Sequence, residues 1–241
     1  MKAVPHILYE DDSLIVVEKP SGILSIPDRF DATKPNLLAI LQERVGPIWV
    51  VHRLDRETSG IICFAKNEAA HRHLSIQFTE RRVDKIYLAL VEGRPSPPNG
   101  SIEKPIGPHP NIPGKMTISR MGKYSLTFYE TCDTFRAFSL VEANIKTGRT
   151  HQVRVHLSSI GHPLAVDPVY GKREAIYLSE IKLRHFRIGK SEEERPIMNR
   201  LTLHALRLGL EHPETGARLA IESPLPKDFG ALIKQLDKWG R

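Results

Sequence analysis

Ile48-Trp49-Val50-Val51, then His52-Arg53-Leu54-Asp55-Arg56-Glu57-Thr58-Ser59-Gly60, then Ile61-Ile62-Cys63-Phe64-Ala65: a charged, turn-prone stretch lies between two apolar runs. Runs this rich in β-branched and aromatic residues read as buried strands. A chain that leaves one strand and enters the next through two arginines, an aspartate and a glutamate must keep those charges near a sheet edge. Loops on a rigid scaffold are where catalytic groups sit most often. Thr-Ser-Gly is also ordinary turn chemistry, so these nine residues read equally well as a plain polar turn.

Upstream, the apolar residues 7–9 and 14–17 flank Glu10-Asp11-Asp12-Ser13 and predict a β-hairpin. Lys19-Pro20-Ser21-Gly22 ends it, because proline cannot continue the ladder. Leu37, Leu38, Ile40, Leu41 and Val45 predict a helix behind an Asn36 cap, closed at Gly46. After the central stretch, Asn67 is the expected N-cap of a second helix burying Ala70, Leu74 and Phe78. His71 and His73, two apart on it, point to different sides and make no metal pair.

Residues 86–91 are apolar on both strand faces and predict an interior strand, in which the Tyr87 phenol needs a partner or an opening. Residues 94–122, rich in Pro and Gly, predict two short strands paired with each other, Ser101-Ile102-Glu103 and Met116-Thr117-Ile118. Lys104, Lys115, Arg120 and Lys123 make that region a candidate basic surface. Residues 126–129 and 138–145 read as an antiparallel pair. The turn Thr147-Gly148-Arg149-Thr150 then leads into a helix over 151–160. Its buried face is expected to be Val153, Leu157 and Ile160, with Gln152, Arg154 and His156 projecting elsewhere. Residues 172–199 mix charges of both signs and read as a connection. A strand over 201–210, a turn at His212-Pro213-Glu214-Thr215-Gly216, a returning strand over 218–222 and a helix opened by Pro226 close the chain.

The 241 residues carry 35 Lys+Arg against 28 Asp+Glu, a formal charge of +7. This favours a polyanionic partner, RNA or DNA ahead of an anionic membrane surface. Nothing approaches the roughly 20 apolar residues of a membrane span, and residues 1–6 lack a signal peptide's apolar core, so the expected location is cytoplasmic. The two cysteines, Cys63 and Cys132, are too few for a disulfide scaffold or a zinc site and read as buried thiols. No Walker loop, dinucleotide glycine fingerprint or serine elbow appears.

Three clusters line up in order: His52-Arg53-Leu54-Asp55 with Thr58-Ser59-Gly60; Lys85-x-Tyr87; and Thr147-Gly148-Arg149-Thr150-His151-Gln152-x-Arg154-x-His156-Leu157. Together they resemble the RluA-type family of RNA pseudouridine synthases. The opening hairpin with Lys19-Pro20-x-Gly22, and Leu203-His204-Ala205 with His212-Pro213 and Gly216, extend the resemblance over about residues 7 to 229. Val166 stands where the family usually has a glycine before the aspartate, here Asp167.

The resemblance implies an α/β fold of the α+β type. A large mixed, mostly antiparallel sheet would be flanked by helices and loops, with a central basic cleft. Residues 1–241 would form one catalytic domain with no separate S4 domain. The implied reaction isomerises uridine in ribosomal or transfer RNA, with no metal or other cofactor, in a protein expected to be monomeric. By resemblance Asp55 is the catalytic aspartate, which either adds to the sugar or removes a ribose proton. An arginine should keep it ionised, Arg154 first and Arg149 as the alternative. Tyr87 would pack on the target base, and Arg53 would fill the space that a flipped uridine leaves. His52 is as readily a structural hydrogen bond as a substrate contact. Lys85, His151, Gln152 and His156 read as support or backbone-phosphate contacts, and segments 94–122 and 172–199 as determinants of specificity. A noncatalytic RNA-binding or ribosome-assembly factor, and a nucleoside hydrolase using the same aspartate, are the competing readings.

Overall fold

Seven consecutive buried residues, Ser59–Ala65, can be satisfied only by a strand with neighbours on both edges and cover on both faces. The computed structural model, which describes residues 5–183, 186 and 193–241, has this arrangement. In chain order the elements are β1 (Ile7–Glu10), β2 (Leu14–Lys19), α1 (Leu37–Val45), β3 (Trp49–Val50), β4 (Ser59–Ala65), α2 (Glu68–Thr79) and β5 (Asp84–Glu92). There follow β6 (Asn99–Glu103), β7 (Ile106–Pro108), β8 (Met116–Ile118), β9 (Leu126–Thr134), β10 (Phe138–Ile145), α3 (Gln152–Ser159), α4 (Leu178–Lys182), β11 (Leu203–Glu211), β12 (Arg218–Glu222) and α5 (Lys227–Trp239).

The chain forms two compact units, Met1–Tyr87 with His204–Pro224, and Leu88–Leu203 with Leu225–Arg241, and it passes from the first to the second within β5. In the first unit β4 pairs antiparallel with β2 and with β3, and parallel with β11 at Ser59 and Gly60. β1 extends the sheet from β2 and β12 extends it from β11, both antiparallel. Leu14, Val16, Ile62, Phe64, Leu74 and Leu210 are buried in one apolar cluster there. Asn36 and Asn67 cap α1 and α2, their side-chain oxygens accepting from Ala39 and Ala70 N–H at 2.9 and 2.8 Å. The expected α2 face is modified: Ala70 and Leu74 are buried, Phe78 only partly. Gln77 is buried because its amide bonds both backbone groups of Glu211.

In the second unit β6, β9 and β10 form an antiparallel sheet. The strands expected around 101–103 and 116–118 both exist, but they do not pair with each other. β6 adds to β9, whereas β8 pairs with β7 as a separate two-stranded ribbon. Proline and glycine between them let the chain make two partnerships where periodicity suggested one. Cys63 is buried as expected; Cys132 is exposed on β9. Of the connection 172–199, α4 packs with α5, while positions 184–185 and 187–192 lie outside the described residues. The fold is therefore mixed α/β, with sheets that are mostly antiparallel. No helix among the described residues is long and apolar enough to cross a membrane.

Gly60 is the residue on which the parallel contact depends. Its φ is +116°, and a Cβ there would stand 2.2 Å from the Ala205 carbonyl oxygen. Gly60→Ala is therefore expected to destabilise the protein by at least about 2 kcal/mol through strain and forced separation of β4 from β11. Urea unfolding measures this, and an unchanged midpoint would contradict it.

Candidate active site

The loop between β3 and β4 is held by its backbone. Ser25 Oγ accepts from the Leu54 N–H (3.1 Å) and donates to the Leu54 carbonyl (2.9 Å). Lys19 is fully buried, and its ammonium donates to the carbonyls of Pro20 (2.9 Å), Ile23 (2.8 Å) and Arg56 (2.9 Å). Gly22 N–H donates to the same Arg56 carbonyl, and Ser21 Oγ to that of Glu57. The Lys-Pro-Ser-Gly turn thus does more than stop β2. It supplies donors to the carbonyls of a polar loop that has no ladder partner for them. Asp55 lies between two clamped residues, and its own carbonyl closes the turn on Thr58 N–H at 3.1 Å. Arg53 and Arg56 project to solvent.

His52 has a role in the framework. Its Nε2 accepts from Cys63 N–H at 3.1 Å, in effect continuing the ladder that β3 leaves after Val50. The ring stacks on Phe78 with centroids 4.7 Å apart, and Lys85 Nζ lies 5.9 Å from the same Phe78 centroid. Burial first, and the Lys85 charge second, push the imidazole down to about 3, so it is neutral at physiological pH. Tyr87, the last residue of the first unit, is affected in the opposite sense. Burial, with the Asp55 carboxylate adding to it, holds its phenol protonated well above the ordinary value. The structure therefore brings His52, Lys85 and Phe78 together, and sets Tyr87 within electrostatic reach of Asp55.

The third cluster, in the second unit, differs from expectation. Gln152, Arg154 and His156 do not project outward: they are 3%, 4% and 0% exposed, on a helix whose first six residues are all buried. Gln152 donates to the Leu126 carbonyl and to Thr127 Oγ1, and accepts from Thr147 Oγ1 and Arg149 N–H. The Thr127 hydroxyl donates to His156 Nδ1 (2.9 Å), and His156 Nε2–H donates to the Lys104 carbonyl (3.0 Å). The expected outward projection is corrected, and of the two roles read for Gln152 and His156, support or phosphate contact, their burial favours support. Helical periodicity missed this because every polar atom there finds a partner.

Arg154 has a task the sequence did not disclose. Its Nε and Nη2 form a fork on the fully buried Asp167, both at 2.8 Å, and its guanidinium lies 4.9 Å from the Tyr170 ring. Asp167 also accepts from Val169 and Tyr170 N–H. The Tyr170 hydroxyl accepts from Met116 N–H and meets His151 Nδ1, both at 2.8 Å, where His151 starts α3 from φ +57°. Arg149, half-exposed, donates through Nε to the Tyr124 carbonyl. Val166 is buried, its N–H donating to Thr202 Oγ1. Among the described residues no group of three or more His, Cys, Asp or Glu could hold a metal.

The profile of a family described as RNA pseudouridylate synthase matches residues 13–159, a span containing all three clusters. The chain belongs to that family. A Bacillus subtilis protein named as an uncharacterized RNA pseudouridine synthase is 38% identical over 97% of this chain and 73% of its own length. The ribosomal large subunit pseudouridine synthase D of Pseudomonas aeruginosa is 39% identical, over 96% of this chain and 71% of that protein. The namesake from Nitrosomonas europaea is 38% identical over 98% and 66%. Among solved structures, human RNA pseudouridylate synthase domain containing 4 superposes with a TM-score of 0.71 at 26% identity, covering 96% of this chain and 93% of that one. As an RNA pseudouridine synthase, the protein carries Asp55 and Tyr87 within the matched span.

Two outcomes follow from these contacts. The folded His52 value lies below the unfolded 6.5, so the neutral ring contributes stability that is full above pH 6.5. That contribution is lost as pH falls from 6.5 toward 3. Heteronuclear NMR should find His52 neutral with an unprotonated Nε2 at pH 5, and a midpoint above 5.5 would refute the assignment. Asp167→Asn, which leaves the buried Arg154 charge without its carboxylate, should cost about 3–5 kcal/mol in chemical denaturation. A loss under about 1 kcal/mol would mean that the fork carries little of the local structure.

Proposed function

We propose that this synthase isomerises uridine in large-subunit ribosomal RNA, with Asp55 as the catalytic carboxylate. The similarity to proteins named for that substrate supports the choice of RNA. The observation that carries the catalytic reading is the clamp: Asp55 stands between Leu54 and Arg56, whose backbones are fixed by Ser25 and Lys19. A carboxylate at the end of a fixed loop can be held against C1′ of a ribose, where bond cleavage builds positive charge. The N1–C1′ bond breaks, the base rotates, C5 bonds to C1′, the C5 proton leaves to water, and N1 takes up a proton in its place. Asp55 either adds to the sugar or removes a ribose proton, and both routes need it ionised.

Tyr87 stacks on the detached base as a neutral phenol, which burial and the nearby Asp55 favour. Arg53, exposed two residues before Asp55, fills the space the flipped uridine leaves, offsetting part of a few kcal/mol of unstacking. Lys85, Arg149 and His151, each half-exposed, contact RNA phosphates. Arg154 serves through Asp167 and Tyr170 as a positioning residue for the start of α3.

The test uses a large-subunit ribosomal RNA transcript tritiated at C5 of uridine. Wild type should release tritium to water without free uracil, and Asp55→Asn should slow release at least about a thousandfold. Release accompanied by free uracil would make the protein a hydrolase. Tight, salt-sensitive binding with no release from this or transfer RNA would make it an assembly factor.

A further inference from the structure

Residues 26–35 form a loop of the first unit with its ends pinned together. Leu24 and Asn36 form a bridge, Leu37 N–H donates to the Leu24 carbonyl (2.8 Å), and Leu38 N–H to that of Ser25 (3.2 Å). Ser25 at this base is the residue that holds both backbone groups of Leu54. Within the loop, Asp28 Oδ1 accepts from the N–H groups of Phe30 (2.9 Å) and Asp31 (3.1 Å). Asp31 Oδ1 accepts from the N–H and hydroxyl of Thr33, and Lys34 Nζ stands 3.3 Å from Asp28. The loop is built by its own polar groups and buries nothing at its tip. At that tip are Arg29, exposed, and Phe30, 92% exposed.

Phe30 has no folded neighbour to explain it, and a bare phenyl ring in water is unfavourable. A polar residue would serve the turn equally well, since the hydrogen bonds at Phe30 use only its backbone. An aromatic face beside a guanidinium is the arrangement that binds unpaired nucleotides, the ring stacking on the base and the cation meeting phosphate. Placement agrees. Phe30 is five positions after Ser25, so their Cα atoms are at most about 18 Å apart, and Ser25 touches Leu54, the residue between Arg53 and Asp55. The exposed side chains of this neighbourhood include Arg29 and Arg53, complementary to a polyanion, while Arg56 pairs with the exposed Glu57. The loop's carboxylates are occupied inward, on Phe30, Asp31, Thr33 and Lys34.

We propose that Phe30 and Arg29 form a stacking contact for an unpaired nucleotide flanking the target uridine, Phe30 taking the base and Arg29 the adjoining phosphate. This rests on the reading of Asp55 as the centre of an RNA-modifying site. It makes the 26–35 loop a determinant of which RNA is accepted.

The experiment compares wild type, Phe30→Leu, Phe30→Trp and Arg29→Ala in binding the large-subunit transcript. A fragment carrying 2-aminopurine beside the modified uridine gives a second signal. Phe30→Leu should raise Kd about five- to hundredfold and lose the quenching of 2-aminopurine, and Phe30→Trp should retain both. Arg29→Ala should flatten the dependence of log K on log salt by about 0.7, one single-strand phosphate. Unfolding midpoints should shift by no more than about two degrees, since the ring is exposed. If Phe30→Leu binds and quenches like wild type while wild type releases tritium, the contact is overturned and the synthase reading stands. If Phe30→Leu loses binding but wild type releases no tritium, the contact stands and the reading of Asp55 falls.

Discussion

A buried ammonium with three backbone carbonyls around it is the contact on which the candidate active site depends. Lys19 ends a strand buried at every position but Glu18, and its three short bonds reach Pro20, Ile23 and Arg56. Desolvating a charge of this kind is expensive, and it persists only where hydrogen bonds compensate. Here the compensation has a geometric consequence. The same carbonyl that Lys19 holds belongs to the residue after Asp55, and Ser25 holds the residue before it. A carboxylate fixed at both flanks loses little further freedom when substrate arrives, which is how a loop can approach the precision of a strand or helix.

That constraint explains the division of charge around the loop. His52, whose ring replaces a lost ladder acceptor, must remain neutral to keep the Cys63 bond. Tyr87 must remain protonated where burial and a carboxylate both oppose ionisation. His52 and Tyr87 are therefore uncharged, the buried Lys19 ammonium is held by backbone carbonyls, and Arg53 and Arg56 are exposed. Arg53 is thus exposed beside Asp55, whereas Arg56 is engaged by the Gly22 carbonyl and by Glu57.

The sequence disclosed elements better than partnerships. Asn36 and Asn67 were legible as caps because an Asx side chain reaching the N3 amide is a local event. The strands around Ser59–Ala65 and Phe138–Ile145 were legible from apolar runs and period two. The pairing of β6 with β9 and of β8 with β7 was not, since short strands in a Pro- and Gly-rich stretch carry little register information. Asp55 and Tyr87 were reached through motif resemblance, but the clamp was not. Lys19 was read as part of a turn, because nothing local says that its side chain folds back under residues 37 positions away.

The polar face of α3 shows why a motif can be misread as a surface. Polarity in sequence signals exposure only when water is the cheapest partner. Gln152, Arg154 and His156 have better ones: a threonine pair, a buried aspartate and a backbone carbonyl. Each unsatisfied group in that interior would cost about 1–3 kcal/mol, so the residues must change together or not at all. A run of polar side chains in a motif can thus record hydrogen-bond closure of a core as readily as contact with substrate. The two are told apart by whether the donors and acceptors already balance. In α3 they do for Gln152 and His156. At Arg53, Arg29 and Phe30 the side chains face outward, and recognition of RNA is therefore sought there.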